Sequence, residues 1–162
     1  MTENVENVEP LELDPLPPDE VAANRARVVA ALRSGDYRQG TGALRPADDE
    51  YCCLGVVEAV RDAPWRTEDL FGVPDRRLLV AGVTLGASGI NATTLTGPAM
   101  RWLGVVESNP NVVHGFVTSL VDLNDDRGYS FAQIADVLEA QRPDWDGSYA
   151  FCARVVNEEE TS

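Results

Sequence analysis

Short amphipathic segments, each closed by a glycine or a proline, limit most strongly what this chain can fold into. The first segment begins at Asp19, a residue type that caps helix N-termini. Its apolar residues recur on one helical face: Val21, Val28, Val29 and Leu32. Gly35 stands where a glycine commonly ends a helix. The pattern predicts a first helix that packs one face against a core.

A second helix is predicted to begin at Asp48 or Asp49, either of which can cap it, and to end before Pro64. Its predicted inner face consists of Cys53, Val56, Val57 and Val60. Because free cysteines are commonly buried, we interpret Cys53 as a small core residue.

Two later helices carry clearer signals. Pro98 occupies a typical first helical position, and Gly104 ends the short segment that follows it. Ser130 and Gln133 have the spacing of a capping box, in which each side chain accepts a backbone N–H of the other end. The residues after this box place four apolar side chains on one face: Phe131, Ile134, Val137 and Leu138.

The remaining segments favour extended structure or stay ambiguous. Residues 37–45 fit a short hairpin or a glycine-rich loop, and residues 65–97 suggest short strands and loops. Residues 109–126 and 147–156 each fit either a helix or a strand. We therefore predict one α+β domain, predominantly helical, with a small β-hairpin or sheet element.

Charge separates this domain from its ends. The net charge is -14, but ten of the 27 acidic residues lie in residues 1–20 and 158–160, which leaves 17 acidic against 13 basic residues. Segments rich in proline and acidic residues are typically solvated. We predict a disordered acidic tail over residues 1–18, a globular domain over 19–157 and an acidic tail over 158–162.

Composition excludes several classes of function. All 13 basic residues are arginines, so Schiff-base chemistry and a P-loop lysine are excluded. No apolar run reaches the roughly 20 residues that span a bilayer, and the acidic N-terminus is unlike a signal peptide. Three cysteines are too few for a disulfide scaffold and favour reduced thiols. We expect a cytoplasmic protein without membrane contact.

Four motifs together resemble a group of small proteins encoded by tailed phages and prophages. They are "ALRSGDYRQGTGALR", "YCCLGV", "MRWLGV" and "LNDDRGYSFAQIADVLE", which lie between about residues 31 and 139. The group shows LRSGxYxQ, CCLGV, WLG and LNDxxGxSFxxIADxIE in this order. The resemblance implies a phage-related accessory protein that acts against a host system. It supplies no catalytic residue.

Two local patterns suggest alternatives that we consider weaker. Asp122, Asn124 and Asp126 match the first ligands of a calcium loop, but Arg127 replaces its glycine and Gln133 its last glutamate. The interpretation that we prefer is a polar turn. The same region resembles a helix-turn-helix, although its reading helix would offer only one arginine and is followed by acidic residues.

Thiol or metal chemistry is also weakly supported. His114 is the only histidine, and a pair with Cys52 or Cys53 is formally possible. A zinc site would combine adjacent cysteines with residues about a hundred positions apart, which is poor chelate geometry. We predict no catalytic residue, no metal and no cofactor, and we lean against an enzyme.

The glycine-rich loop is the better candidate for binding. Backbone N–H groups at Gly40, Thr41 and Gly42 resemble an anion-binding nest, with two arginines nearby. An alternative is a tight turn in which the glycines only adopt positive φ. The predicted ligand-binding residues are Tyr37, Arg38, Gln39, Gly40, Thr41, Gly42, Arg45 and Trp102.

These observations predict a non-enzymatic phage or prophage accessory protein. It is expected to sequester an anionic small ligand, such as a nucleotide signal, or to inhibit a host defence protein. The alternatives are a helix-turn-helix-like regulator, an acidic mimic of nucleic acid and, less strongly, a cysteine-dependent enzyme. Direct nucleic-acid binding is not expected, because the reading helix would offer only Arg154 for phosphate contacts and acidic residues follow it.

Overall fold

The protein is described here by a computed structural model, which defines residues 14–47, 49–70, 73–81 and 93–161. The described residues form an α+β fold that is predominantly helical, which confirms the predicted class. The helices are α1 (Pro18–Ser34), α2 (Cys53–Val60), α3 (Gly97–Leu103), α4 (Phe131–Glu139) and α5 (Tyr149–Thr161). The strands are β1 (Arg38–Gln39), β2 (Glu50–Tyr51), β3 (Trp65–Leu70), β4 (Val73–Ala81), β5 (Asn111–Val113) and β6 (Val117–Ser119).

Helix α1 ends as predicted but begins differently. Gly35 adopts a left-handed conformation with φ 81° and ends the helix. The N-cap is Pro17 rather than Asp19, and Pro18 provides the first helical residue. Asp19 instead lies in the first turn, where a negative charge interacts favourably with the helix dipole. Most of the predicted tail, residues 1–13, lies outside the described residues.

Helix α2 begins later than predicted. Its N-cap is Cys52, whose sulfur accepts a hydrogen bond from the backbone N–H of Gly55 at 3.4 Å. Asp49 precedes the helix and lies before strand β2, so it is not the cap, while Asp48 lies outside the described residues. Asp49 therefore ends the loop before β2, and the cysteine pair itself starts the helix.

The described strands form three separate two-stranded sheets. Strand β1 pairs in parallel with β2, so the hairpin that we considered for residues 37–45 is wrong and the glycine-rich loop is present instead. Strands β3 and β4 are antiparallel, in agreement with the strands predicted after residue 65. Residues 82–92 of that prediction lie outside the described part of the chain. Strands β5 and β6 form an antiparallel hairpin, so the first half of the ambiguous segment 109–126 is strand rather than helix.

The second half of that segment forms a π-helical turn, Asp122–Asp126, which leads into α4. Ser130 and Gln133 make the predicted capping box at the start of α4. Helix α5 runs through Thr161, so the acidic tail predicted from residue 158 is helical to that point. Glu158 pairs with Arg142 at 2.9 Å and with Arg154 at 3.7 Å, which holds this acidic stretch in the helix.

The core lies where α1 packs against α2 and α4 and where α5 covers the β5–β6 hairpin. Its largest fully buried apolar side chains are Trp145, Leu44, Leu54, Leu95, Leu103, Leu120, Leu123 and Ile134. One carboxylate, Glu58, is also fully buried, and it accepts hydrogen bonds from Arg61 and from the backbone N–H of Thr96. None of the described helices is long and apolar enough to cross a membrane.

Candidate functional site

The predicted binding loop is a crossover between two parallel strands. Residues 40–49 join β1 to β2, which run in the same direction and therefore cannot be linked by a tight turn. The loop passes over the start of α2, where the backbone N–H of Cys52 donates to the carbonyl oxygen of Leu44 at 3.0 Å. Leu44 is fully buried, so the middle of the loop belongs to the core.

A buried asparagine from the π-helical turn holds this loop in place. The side-chain oxygen of Asn124 accepts hydrogen bonds from Nε2 of Gln39 at 2.9 Å and from the backbone N–H of Cys53 at 3.2 Å. Its side-chain nitrogen donates to the carbonyl oxygen of Gly40 at 2.9 Å and to Asp125 at 2.8 Å. The oxygen and the nitrogen of the Asn124 side chain therefore each have two hydrogen-bond partners, although the residue is only 2% exposed. We call Gln39, Cys53, Asn124 and Asp125 the Asn124 anchor.

The Asn124 anchor explains why three of the quoted motifs occur in one chain. Gln39 belongs to the first motif, Cys53 to the cysteine motif and Asn124 to the LND motif, and the fold brings these three residues into direct contact. The fourth motif, around Trp102, lies in α3, where its backbone carbonyl accepts from the side chain of Asn24. Three of the four motifs are therefore parts of one tertiary contact.

The loop backbone is only partly available to an anion. The N–H of Gly42 donates to Asp125 at 3.1 Å, and the N–H of Gly40 donates to the carbonyl oxygen of Tyr51 at 2.8 Å. Two of the donors that the sequence suggested for a ligand thus already have protein acceptors. Gly42 has φ 90° and solvent around its Cα, in agreement with a turn that needs glycine. Thr41, between them, is exposed.

Side chains beside the loop form a more distinctive surface. The guanidinium of Arg45 lies 5.1 Å from the ring centroid of Tyr51 and 5.3 Å from that of Trp65. Tyr51 makes edge-to-face contacts with Tyr37 at 5.3 Å and with Trp65 at 6.1 Å. All four side chains are half-buried. We call Tyr37, Arg45, Tyr51 and Trp65 the arginine–aromatic surface.

The other predicted residues are divided between this surface and distant places. Arg38 is 68% exposed and pairs with Asp49 at 3.3 Å and Glu50 at 3.7 Å. Trp102 lies instead under the guanidinium of Arg27 from α1, at 5.5 Å, and no described contact joins it to the loop. Tyr37 and Arg45 are therefore brought together through Tyr51, whereas Arg38 pairs with acidic residues and Trp102 lies beside α1.

Comparison with protein families identifies one match. The family described as a domain of unknown function (DUF8296) matches residues 22–142. The chain belongs to the DUF8296 family. The matched residues contain most of α1, all of α2 to α4, the whole Asn124 anchor and the arginine–aromatic surface. No curated protein and no solved structure matches the chain.

The cysteine pair that marks this DUF8296 chain is poorly suited to nucleophilic chemistry. Cys52 and Cys53 are 4% and 2% exposed. Burial raises the pKa of Cys52 to about 11 and the pKa of Cys53 well above its ordinary value. The thiol of Cys53 donates to the carbonyl oxygen of Leu120 at 3.5 Å. Since the thiolate is the reactive form, both side chains stay protonated and inert near neutral pH.

The alternative constellations have structural explanations in the DUF8296 fold. Asp122, which would begin a calcium loop, accepts from Thr118 and pairs with Arg127, both at 2.7 Å. Within the described residues no three His, Cys, Asp or Glu side chains are grouped to hold a metal. Helices α4 and α5 are separated by the nine residues 140–148, longer than the three or four of a helix-turn-helix.

Sequence reasoning missed Asn124, Tyr51 and Trp65. The sequence predicts only a polar turn around Asn124, and its partners Gln39 and Cys53 are 85 and 71 positions away. The signal that was available is the joint occurrence of the Gln, CC and LND motifs in one chain. Tyr51 and Trp65 carried no signal, because a single aromatic residue in a loop or strand is as often a packing residue.

Proposed function

We propose that the protein is a non-enzymatic phage or prophage accessory protein that binds an anionic small ligand, such as a nucleotide. The motif resemblance supports the phage context. The observation that carries the binding proposal is the position of Arg45 over Tyr51 and Trp65. An aromatic face offers stacking to a base, and arginine pairs bidentately with phosphate.

Each part of the surface has a role in this proposal. Arg45 contributes positive charge at a half-buried position, where its interaction with an anion is less screened than on the open surface. Arg38 exchanges its pairs with Asp49 and Glu50 for the ligand, at a small cost because exposed ion pairs contribute about 0 to 1 kcal/mol. The ring of Trp65 or Tyr37 supplies the stacking face.

The Asn124 anchor supports the site without touching the ligand. It ties Gln39 and Gly42, which flank the first residues of the loop, to the π-helical turn. A loop that is held before binding loses less conformational entropy when the ligand arrives. The three buried free cysteines suit a reducing compartment, and we place the protein in the cytoplasm of the host cell.

Isothermal titration calorimetry with inorganic phosphate, AMP and ATP tests this function. We expect the nucleotides to bind and phosphate alone to bind more weakly, because it lacks a base to stack. Arg38→Ala and Arg45→Ala should each reduce nucleotide affinity by about tenfold or more, since a charge-assisted contact is worth about 1.5 to 3 kcal/mol.

The matched control is Arg154→Ala. Arg154 also lies over an aromatic ring, that of Phe151 at 5.0 Å, but on helix α5. Its replacement should leave nucleotide affinity unchanged. Equal affinity of the wild type, the Arg38 variant and the Arg45 variant, with all three folded by circular dichroism, would refute the proposed site.

A further inference from the structure

The ribbon formed by β3 and β4 begins at the arginine–aromatic surface. Its first residue, Trp65, belongs to that surface and packs against the domain core. Beyond Trp65, β3 and β4 pair with each other along their length and make no comparable contact with a third element among the residues that the structure describes. An isolated two-stranded ribbon is only marginally stable in water, so a ligand that packs on one of its faces would stabilise it.

The strand register assigns the residues of the ribbon to its two faces. Opposite residues of an antiparallel pair share a face, and successive residues along a strand alternate between faces. We call the face that carries Trp65 the Trp65 face, and its members are Trp65, Thr67, Leu79 and Ala81. Leu78, one position from Leu79, lies on the opposite face. The register shift in the ribbon lies between Asp69 and Leu70, beyond these residues, so it does not change the assignment.

The Trp65 face continues the arginine–aromatic surface. The ring of Trp65 lies 6.1 Å from the ring of Tyr51 and 5.3 Å from the guanidinium of Arg45, so this face meets the domain at Trp65. Thr67 and Leu79 occupy the next pair of positions on the same face, about 7 Å farther along the ribbon at about 3.4 Å per residue. The arginine–aromatic surface and the Trp65 face are therefore two adjoining walls that share the ring of Trp65.

The two walls differ in chemistry. The arginine–aromatic surface carries the positive charge of Arg45. The Trp65 face adds no charge at the positions next to Trp65, where its residues are a threonine, a leucine and an alanine. A nucleotide has the same division, because its phosphate is anionic and its base has a flat face that stacks on aromatic side chains. A base that stacks on Trp65 would lie beside the position of Leu79.

We propose that the Trp65 face is the wall of the site that binds the nucleotide base, and that Leu79 is the ribbon residue that covers the base. This inference rests on the proposed function and extends it, since it divides the ligand between the two walls. The phosphate meets Arg45, and the base is enclosed by Trp65 and Leu79. Contact between the leucine and the base removes apolar surface from water and gives the ribbon the packing partner that two strands alone lack.

Two serine substitutions on β4 test the assignment, with AMP as the probe in isothermal titration calorimetry. Leu79→Ser removes an apolar side chain from the Trp65 face and should weaken AMP binding by about tenfold, which is the size of effect expected when a leucine loses its cover. Leu78→Ser is the matched control, because it makes the same change one position away on the opposite face. It should leave the affinity for AMP unchanged. Neither substitution alters the net charge, so a difference between the variants reflects the face and not electrostatics.

Hydrogen exchange of the wild-type chain, followed by mass spectrometry, gives a second measurement that needs no variant. Saturating AMP should slow the exchange of the β3 and β4 backbone amides, because a ligand that packs on the ribbon reduces its local opening. If AMP binds but leaves this exchange unchanged, or if folded Leu79→Ser and Leu78→Ser chains bind it equally, the base-binding wall is refuted while the proposed function stands. If the wild type binds no nucleotide, the proposed function fails and this inference fails with it. The exchange measurement decides the question if a serine variant does not fold.

Discussion

Replacement of Asn124 by alanine should destabilise the fold far more than the loss of an ordinary polar side chain. The change removes the acceptor of the buried Cys53 N–H, one of two acceptors of Gln39 Nε2 and the donor to the Gly40 carbonyl. A buried donor left without a partner costs about 1 to 3 kcal/mol. Gln39 Nε2 still donates to the Tyr129 carbonyl, and the Gly40 position is partly exposed to solvent. We therefore assign the loss of each of these two hydrogen bonds a cost of about 0.5 to 1 kcal/mol.

The expected decrease in the free energy of unfolding is therefore about 2 to 5 kcal/mol. Such a loss is large against a total stability of about 5 to 15 kcal/mol. Urea unfolding followed by tryptophan fluorescence measures it. The matched control is Asn111→Ala, which removes one side-chain hydrogen bond, from Nδ2 to the Gly147 carbonyl at 3.2 Å, at a half-buried position. This variant should lose about 1 kcal/mol.

A second variant keeps the shape of the Asn124 side chain but gives it a negative charge. Asn124→Asp keeps the oxygen acceptor but replaces the side-chain nitrogen, which now donates to Asp125 at 2.8 Å, by a second carboxylate oxygen. Repulsion and burial should make it unstable near neutral pH and partly restore it as the pH falls and the new acid is protonated. If Asn124→Ala loses no more stability than Asn111→Ala, the argument that this residue anchors the loop is wrong.

Two further predictions concern the cysteine motif. Gly55→Ala places a Cβ 1.8 Å from the carbonyl oxygen of Leu44, so the loop must move, and we expect a loss of about 3 kcal/mol in urea unfolding. Gly128→Ala, where a Cβ meets no atom within 4 Å and only φ 66° is strained, should lose about 1 kcal/mol; equal losses would contradict the clash. The pKa of Cys52 is raised by burial from 9.0 to about 11, so its stabilising contribution is present below pH 9 and disappears as the pH rises to 11. Cys52→Ser does not titrate there, and the wild type should lose about 2 to 3 kcal/mol relative to it over this interval; parallel stability curves would refute the burial of that thiol.

The arrangement of the site changes how the cysteine motif is interpreted. Cys52 caps α2, Cys53 offers its N–H to the Asn124 anchor, and Gly55 leaves space for the Leu44 carbonyl. All three positions act on the loop rather than on a substrate. Of this motif only Tyr51 contributes to the arginine–aromatic surface, and it is at that surface that we place ligand binding.

Half of the proposed binding site was predictable from the sequence. Tyr37, Arg38 and Arg45 lie within one short segment of the chain, so a shared loop was predictable, and the contacts of Tyr37 and Arg45 with Tyr51 bring two of them together. Trp102 was placed with them only because it is an aromatic residue, and the fold puts it beside Arg27. Tyr51 and Trp65 take its place, since the parallel pairing of β1 and β2 returns the chain to the loop.

The sequence by itself determined the presence of helices α1 to α4, the C-terminal ends of α1 and α3, the start of α4 and the fold class. Capping and apolar periodicity act over a few residues, so the Ser130 box and the Gly35 and Gly104 ends are readable without a structure. Tertiary structure alone decided what Asn124 bonds, because its partners are as far as 85 positions away and no local pattern encodes such a hydrogen bond. It also decided that Cys52, rather than an aspartate, begins α2, since the backbone pairing with Leu44 determines where the loop ends and the helix starts.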